Sequence, residues 1–321
     1  MTTNLIKSRL NSKFNAFLES IDNEEIKELI EKNAIITGGC IASMFLQTKV
    51  NDYDIYFKDK EDAKKIAEYY IKKFKILIDK RIKKEKIKTN EVITNALIIT
   101  CSIADNGIKI KIPSSGIITL DTFEKYEYFE HFEQNKSEDS VSEYIDPTKE
   151  GAIVSNGKAV SKSYSPLCIT QNAISLSNDI QLIFRFTGTI QEIHKNFDFV
   201  HTTNYWNAKN KELILYKDAL ESLLTKRLKY NGSLYPIATL FRVRKFLERG
   251  FTIHAGELLK TAFQINDLDL QDVEVLADQL TGVDVAYLND LLDDIKTQFK
   301  EDKNFKVTTS YICEVVDKIF N

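Results

Sequence analysis

Two carboxylates separated by a single residue, Asp52-Tyr53-Asp54, sit in the run Asn51 to Phe57, where polar and apolar side chains alternate. Such alternation marks a strand, and residues two apart on a strand share a face. Both acids therefore point the same way and repel unless a positive charge lies between them. A pair of Mg2+ ions about 3.5–4 Å apart, or Mn2+ in their place, would neutralise them, polarise a phosphate and activate an oxygen nucleophile. Upstream, the apolar strand Ala34-Ile35-Ile36-Thr37 breaks at Gly38-Gly39, and Cys40 to Gln47 reads as a short helix. Glycines at that junction let backbone amides come close to a triphosphate, and a helix start favours anions. Strand, Gly-Gly, helix, then a strand with Asp-x-Asp is far more specific than either half alone.

The elements that must position these residues follow from periodicity. Phe14 to Lys32 carries a loose helical repeat, and Glu61 to Phe74 is amphipathic. Val92–Cys101 and Ile108–Ile112 are strand-rich runs around the turn Ala104-Asp105-Asn106-Gly107. From Asp121 to Ser165 the chain turns acidic, then holds Pro147, Gly151, Gly157 and many serines, the composition of an exposed insertion. The sheet pattern resumes in Ala173–Ser177 and Ile180–Phe186, joined at Asn178-Asp179. From Tyr216 the chain reads as helices over Lys217–Tyr230, Tyr235–Arg249, Ala255–Ile265, Leu270–Leu280, Val285–Phe299 and Thr308–Phe320. The expected fold is α+β: a mixed-sheet domain over 1–210, with an insertion near 121–165, then an all-helical domain over 211–321.

The Gly-Gly turn with Asp-x-Asp resembles the DNA polymerase beta-like nucleotidyltransferase superfamily, over about residues 33–207. Ile180-Gln181-Leu182-Ile183 with Phe197-Asp198-Phe199 is similar to the third-acid region of nucleotidyltransferase-like proteins from tailed phages and large DNA viruses. The resemblance makes Asp198 the third metal ligand. Asp105 and Asp179 are rivals, though both lie in turns, where Asp is expected anyway. Tyr235 to Ile253 is similar to the neck helix of CCA-adding enzymes and poly(A) polymerases, which begins after a Pro, carries spaced arginines and ends in Gly-Phe-x-Ile. That family has an Asp before the Pro and an Arg where Ala238 stands, so only the helix and its cationic character, Arg242 and Arg244 included, carry over.

Composition narrows the rest. With 44 Lys and Arg against 47 Asp and Glu, any nucleic-acid contact must be a local patch. The basic run from Lys72 to Lys88 is a solvated face or a phosphate-backbone contact. Arg242, Arg244, Lys245 and Arg249 form the polar face of a helix or a grip on triphosphate or nucleic acid. His194 and His201 read as hydrogen-bonded structural residues, and His131 and His254 as surface ones. Tyr205-Trp206 is a base-stacking pair or a core junction. The four cysteines lie far apart with no C-x-x-C pair, which excludes a zinc ribbon and points to a reducing, cytoplasmic setting. No stretch is long and apolar enough for a membrane span, and the first residues do not read as a signal peptide. P-loop, Rossmann, serine-hydrolase and zincin motifs are missing.

The resemblance and the residues together imply a metal-dependent nucleotidyltransferase, encoded by a phage, that moves NMP from NTP to an acceptor hydroxyl on an RNA end, a protein or a small molecule. Asp52, Asp54 and Asp198 would hold two Mg2+. Gly38, Gly39 and Ser43 would cradle the phosphates, with Arg242 and Arg244 beside them. The competing expectation is a phage structural or interaction protein that keeps the fold without the reaction. Its acidic insertion and helical half would make virion or assembly contacts.

Overall fold

The computed structural model describes residues 2–85, 98–112, 117–119, 154–155, 158–159 and 164–270, with isolated positions from 272 to 310. Most of the acidic stretch, His131, and the helices expected over 285–299 and 308–320 lie outside the described residues, as does most of 270–280.

Helix α1 (Thr3–Glu19) places Ile6, Leu10, Phe14, Phe17 and Leu18 on one buried face. The helical repeat expected across 14–32 breaks before α2 (Glu24–Asn33), because the Asn23 side chain accepts the Ile26 N–H and caps a new helix. Strand β1 (Ala34–Thr37) is wholly buried and runs through Gly38 into α3 (Gly39–Leu46), which is followed by β2 (Tyr53–Phe57). Helix α4 (Lys60–Glu85) outruns the expected Phe74 because Ile78 continues the buried series Ile66, Tyr70, Phe74. Along it Lys75 Nζ donates to the Ile99 carbonyl at 2.8 Å and Lys83 pairs with Asp79 at 2.7 Å, while Lys86 and Lys88 of the basic run lie outside the described residues.

Further strands up to residue 214 are β3 (Thr100–Ile103), β4 (Ile108–Lys111), β5 (Ile117–Thr119), β6 (Val154–Ser155), β7 (Lys158–Ala159), β8 (Pro166–Thr170), β9 (Ala173–Leu176), β10 (Ile180–Thr187), β11 (Tyr205–Asn207) and β12 (Glu212–Ile214). Eight of the strands form one mixed sheet in the order β12-β11-β1-β2-β10-β9-β8-β5. Among the described pairings of this sheet, β2 with β10 is the parallel one, with Tyr53 opposite Ile180 and Asp54 opposite Gln181. Alternation divides the sheet's side chains. Ile36, Ile55, Phe57, Leu182, Phe184 and Trp206 join α1 and α4 in the main core, whereas Ile35, Tyr56 and Ile183 meet Ile190 and Ile193 of α5 (Ile190–His194). Trp206 is fully buried, 5.0 Å from Phe14, and its Nε1 donates to Asn11, so the core reading of Tyr205-Trp206 holds for the tryptophan.

The hairpin β3–β4 forms a separate two-stranded sheet docked on β10. Its turn is held by the Thr187 N–H donating to the Asn106 carbonyl at 2.9 Å. A Cβ on Gly107 would collide with the backbone carbonyls of Phe184 and Arg185. Gly107→Ala is therefore expected to cost about 2–3 kcal/mol in urea unfolding, while the same change at Gly256, where a Cβ meets nothing, costs far less.

Beyond residue 210 the chain is not wholly helical. Strand β12 still belongs to the large sheet. After α6 (Lys217–Thr225) the left-handed Lys226 stops the helix, and Arg227–Leu228 (β13) pairs in parallel with Thr252–Ile253 (β14) around α7 (Pro236–Glu248). Helix α8 (Ala255–Asn266) follows. Ala42 of α3 packs with Phe199, Leu223, Leu228, Tyr230, Val243 and Phe251, while Cys40, Ile41 and Met44 face the main core. Helix α3 thus joins the two halves. No helix among the described residues is long and apolar enough to cross a membrane.

Candidate functional site

The turn between β1 and α3 needs glycine twice over. Gly38 has φ +100°, open to glycine but strained for other residues, and a Cβ there would stand 3.2 Å from Asp54 Oδ2. Its N–H donates to the Thr202 carbonyl at 3.1 Å. Behind it, the fully buried Thr37 hydroxyl donates to the Asn204 carbonyl at 3.0 Å and shares a 2.9 Å hydrogen bond with His194 Nε2. Gly39 opens the helix, and a Cβ on it would meet nothing within 4 Å. The helix start is therefore fixed from behind and open at Gly39. Gly38→Ala is expected to destabilise the fold by about 1–2 kcal/mol. Gly39→Val should melt close to the unchanged protein yet lose nucleotide affinity in calorimetric titration. An unchanged isotherm would make the turn purely structural.

Asp54 lies on β2 against this turn, half-buried, with the exposed Asp52 two residues before it. Burial first, and then the Asp52 charge, push the Asp54 carboxyl well above the usual carboxylate range. The same pair raises the buried Tyr56 phenol, whose own burial is the larger cause, while the Arg242 charge opposes the rise. Two hard oxygen donors whose charges oppose each other fit a divalent cation. Among the described residues no group of three His, Cys, Asp or Glu side chains could hold a metal ion. Two carboxylates still suit Mg2+, which commonly takes one or two from protein and fills its shell with phosphate oxygens and water.

Asp198 follows α5, and its carbonyl accepts the Asn231 N–H at 2.8 Å. Its side chain is only 4% exposed, and Oδ2 pairs with Arg242 Nη1. Thus two residues expected to hold separate parts of the substrate hold each other. Arg244, about 200° further round α7, pairs instead with Glu248 at 3.3 Å on the exposed face. Ser43 is half-buried in the second turn of α3, and its carbonyl accepts the Thr48 N–H at 2.9 Å. Of the rival acids, Asp105 lies in the exposed β3–β4 turn, where its carbonyl accepts from Lys60. Asp179 gives its carbonyl to the Tyr53 N–H at 2.8 Å, and its charge reaches Lys13 of α1.

Two side chains on β10 were not among the expected site residues. Gln181 stands directly opposite Asp54 and donates to Ser175 Oγ at 3.3 Å. Arg185, on the same face, lies 4.0 Å from the ring centre of Tyr235, the residue before α7, and so ties the sheet to that helix. Their signal is the strand parity 181, 183, 185, readable only once β10 is aligned with β2. Of the two central histidines, His194 is hydrogen-bonded as expected, to Thr37, whereas His201 is buried against Phe246 at 4.6 Å and Phe251 at 4.9 Å with its Nδ1 lacking a hydrogen-bond partner.

A family model described as Gabija anti-defense 2 family protein matches residues 8–226. A curated relative, "Gabija anti-defense 2" of Bacillus phage SPbetaL7, is 28% identical over 139 residues, 43% of this chain. The match spans about a third of that relative, 34% of its length. Among solved structures, a Thermotoga maritima CCA-adding enzyme complexed with tRNA is 14% identical, with 92% of this chain and 57% of that one covered and a TM-score of 0.38. A tRNA-processing enzyme with CTP is 12% identical, with 86% and 55% covered and a TM-score of 0.36.

Proposed function

The chain belongs to the Gabija anti-defense 2 family, and we propose that it acts there as a metal-dependent nucleotidyltransferase, joining NMP from an NTP to an acceptor hydroxyl with release of pyrophosphate. One observation carries this reading: the raised Asp54 carboxyl, with Asp52 beside it, stands against the open Gly38-Gly39 turn. Asp52 and Asp54 would hold Mg2+ or Mn2+, which when bound neutralises charge on the phosphates and the attacking oxygen. The amides at Gly38 and Gly39, with the Ser43 hydroxyl, would bind the outgoing phosphates, and Arg242 would add a positive charge. Catalysis would rest on positioning and charge neutralisation. The acceptor, an RNA end, a protein or a small molecule, would be one on which the host defence depends. A phage assembly protein that merely kept the fold would gain nothing from an opposed carboxylate pair beside an open glycine turn.

The test is incubation with each α-labelled NTP, Mg2+ or Mn2+, and total RNA or host lysate. Label on a macromolecule or small acceptor with pyrophosphate release, lost in the Asp52→Asn/Asp54→Asn double variant, is expected. Pyrophosphate and label no greater than in that control, for all four NTPs, would end the reading.

A further inference from the structure

Asp198 and Arg242 come from different halves of the chain, yet the acid is buried and the base is only partly so. The Asp198 side chain is 4% exposed and that of Arg242 37%. The backbone around the acid is clamped. The Val200 N–H donates to the Lys229 carbonyl at 3.0 Å, Phe199 bridges to Tyr230, and Asn231 Nδ2 donates to the His194 carbonyl at 3.0 Å. Phe197 is fixed against Tyr56, their ring centres 5.7 Å apart. The carboxylate is thus a fixed point on the sheet side, and Arg242 is a long side chain reaching it from α7.

A pair built for stability would be poorly placed here. Asp198 Oδ1 is buried without a hydrogen-bond partner, and the residues on either side of it in sequence, Phe197 and Phe199, pack into apolar clusters. Buried ion pairs are often no better than apolar packing of the same volume. What the pair does provide is a fixed direction for a guanidinium, whose planar fork can hold phosphate oxygens alongside a carboxylate. The Arg242 charge also reaches Tyr56, which lies on the Asp52–Asp54 face.

We infer that Asp198 is a positioning residue: it aims the Arg242 guanidinium at the NTP phosphates and does not bind the metal. The inference rests on the nucleotidyltransferase reading and replaces the third-acid role expected of Asp198. Its step is non-covalent.

The experiment measures two affinities in purified full-length variants: Mn2+ alone by electron paramagnetic resonance, and a non-hydrolysable NTP with Mn2+ by calorimetry. Asp198→Ala and Arg242→Ala should each weaken the nucleotide at least tenfold, and the double variant should be no weaker than the worse single one by more than about twofold. Mn2+ affinity without nucleotide should stay within twofold. Asp198→Asn keeps the shape, removes the charge and should repeat the loss if Asp198→Ala folds poorly. A tenfold fall in Mn2+ affinity in either Asp198 variant would make Asp198 a ligand and overturn the inference, as would losses that multiply. Asp54→Asn is the separate control. If it keeps full Mn2+ affinity the metal site itself is wrong, whatever the Asp198–Arg242 cycle shows.

Discussion

Asp54→Asn is expected to reduce nucleotidyl transfer on the order of a thousandfold or more while leaving the protein as stable as before, or more stable. The two halves of that result share one cause. Burial and the Asp52 charge make the ionised Asp54 carboxyl unfavourable in the folded chain, so its pKa lies above the ordinary range. For a carboxylate with a raised folded pKa, the fold loses stability as pH rises through the unfolded value, and a neutral amide of the same shape escapes that loss. A bound cation turns the cost into a gain. Mg2+ with NTP at a hundred times the dissociation constant should therefore stabilise the unchanged protein by about 2.7 kcal/mol, and this shift should vanish in the variant. Thermal melts with and without Mg2+ and NTP, alongside the labelled-NTP assay, check both halves. A variant that melts earlier but keeps its activity would make Asp54 a structural residue.

The second large effect is loss of stability in mild acid. Burial lowers the pKa of His194 to about 4, and burial with the nearby Arg249 charge lowers His201 to about 4, against an ordinary value of 6.5 for each. In the unfolded chain both rings take a proton near 6.5, so the unfolded state binds more protons between pH 6.5 and 4. Their stabilising contribution is complete above about pH 6.5 and falls away as pH drops toward 4. Each ring accounts for about 3 kcal/mol, and together they approach the whole stability of an ordinary domain. Urea unfolding between pH 4 and 8 should show the decline, and His201→Leu should remove about half of its slope. A variant slope equal to that of the unchanged chain would mean that His201 is already protonated or exposed in the folded state.

The site's scaffold was legible where each link carries a local signal. Alternation placed β2, the glycine pair placed the end of β1, and Asn178-Asp179 placed the turn between β9 and β10. The α+β class followed from the same patterns. Features set by packing between distant segments were not legible. No spacing rule announces that Asp198 meets Arg242, because the contact depends on how Phe199 and Tyr230 seat against α3 and α7. Arg244 looked equivalent to Arg242 in sequence and differs only by its angle on the helix. Strands β13 and β14 are two residues each, too short for any periodicity to show. Helix α4 was cut short because its lysines hide a buried row that Ile78 extends.

The central claim is that Asp52 and Asp54 hold a divalent cation beside a triphosphate seated on Gly38 and Gly39. It is tested most directly by crystals of the protein grown with Mn2+ and a non-hydrolysable NTP, with data collected for anomalous scattering. The expected result is a manganese peak within about 2.0–2.6 Å of both carboxylates, with phosphate density at the Gly38-Gly39 amides. Saturating Mn2+ and nucleotide bound elsewhere on the chain, with Asp52 and Asp54 facing only water, would contradict it.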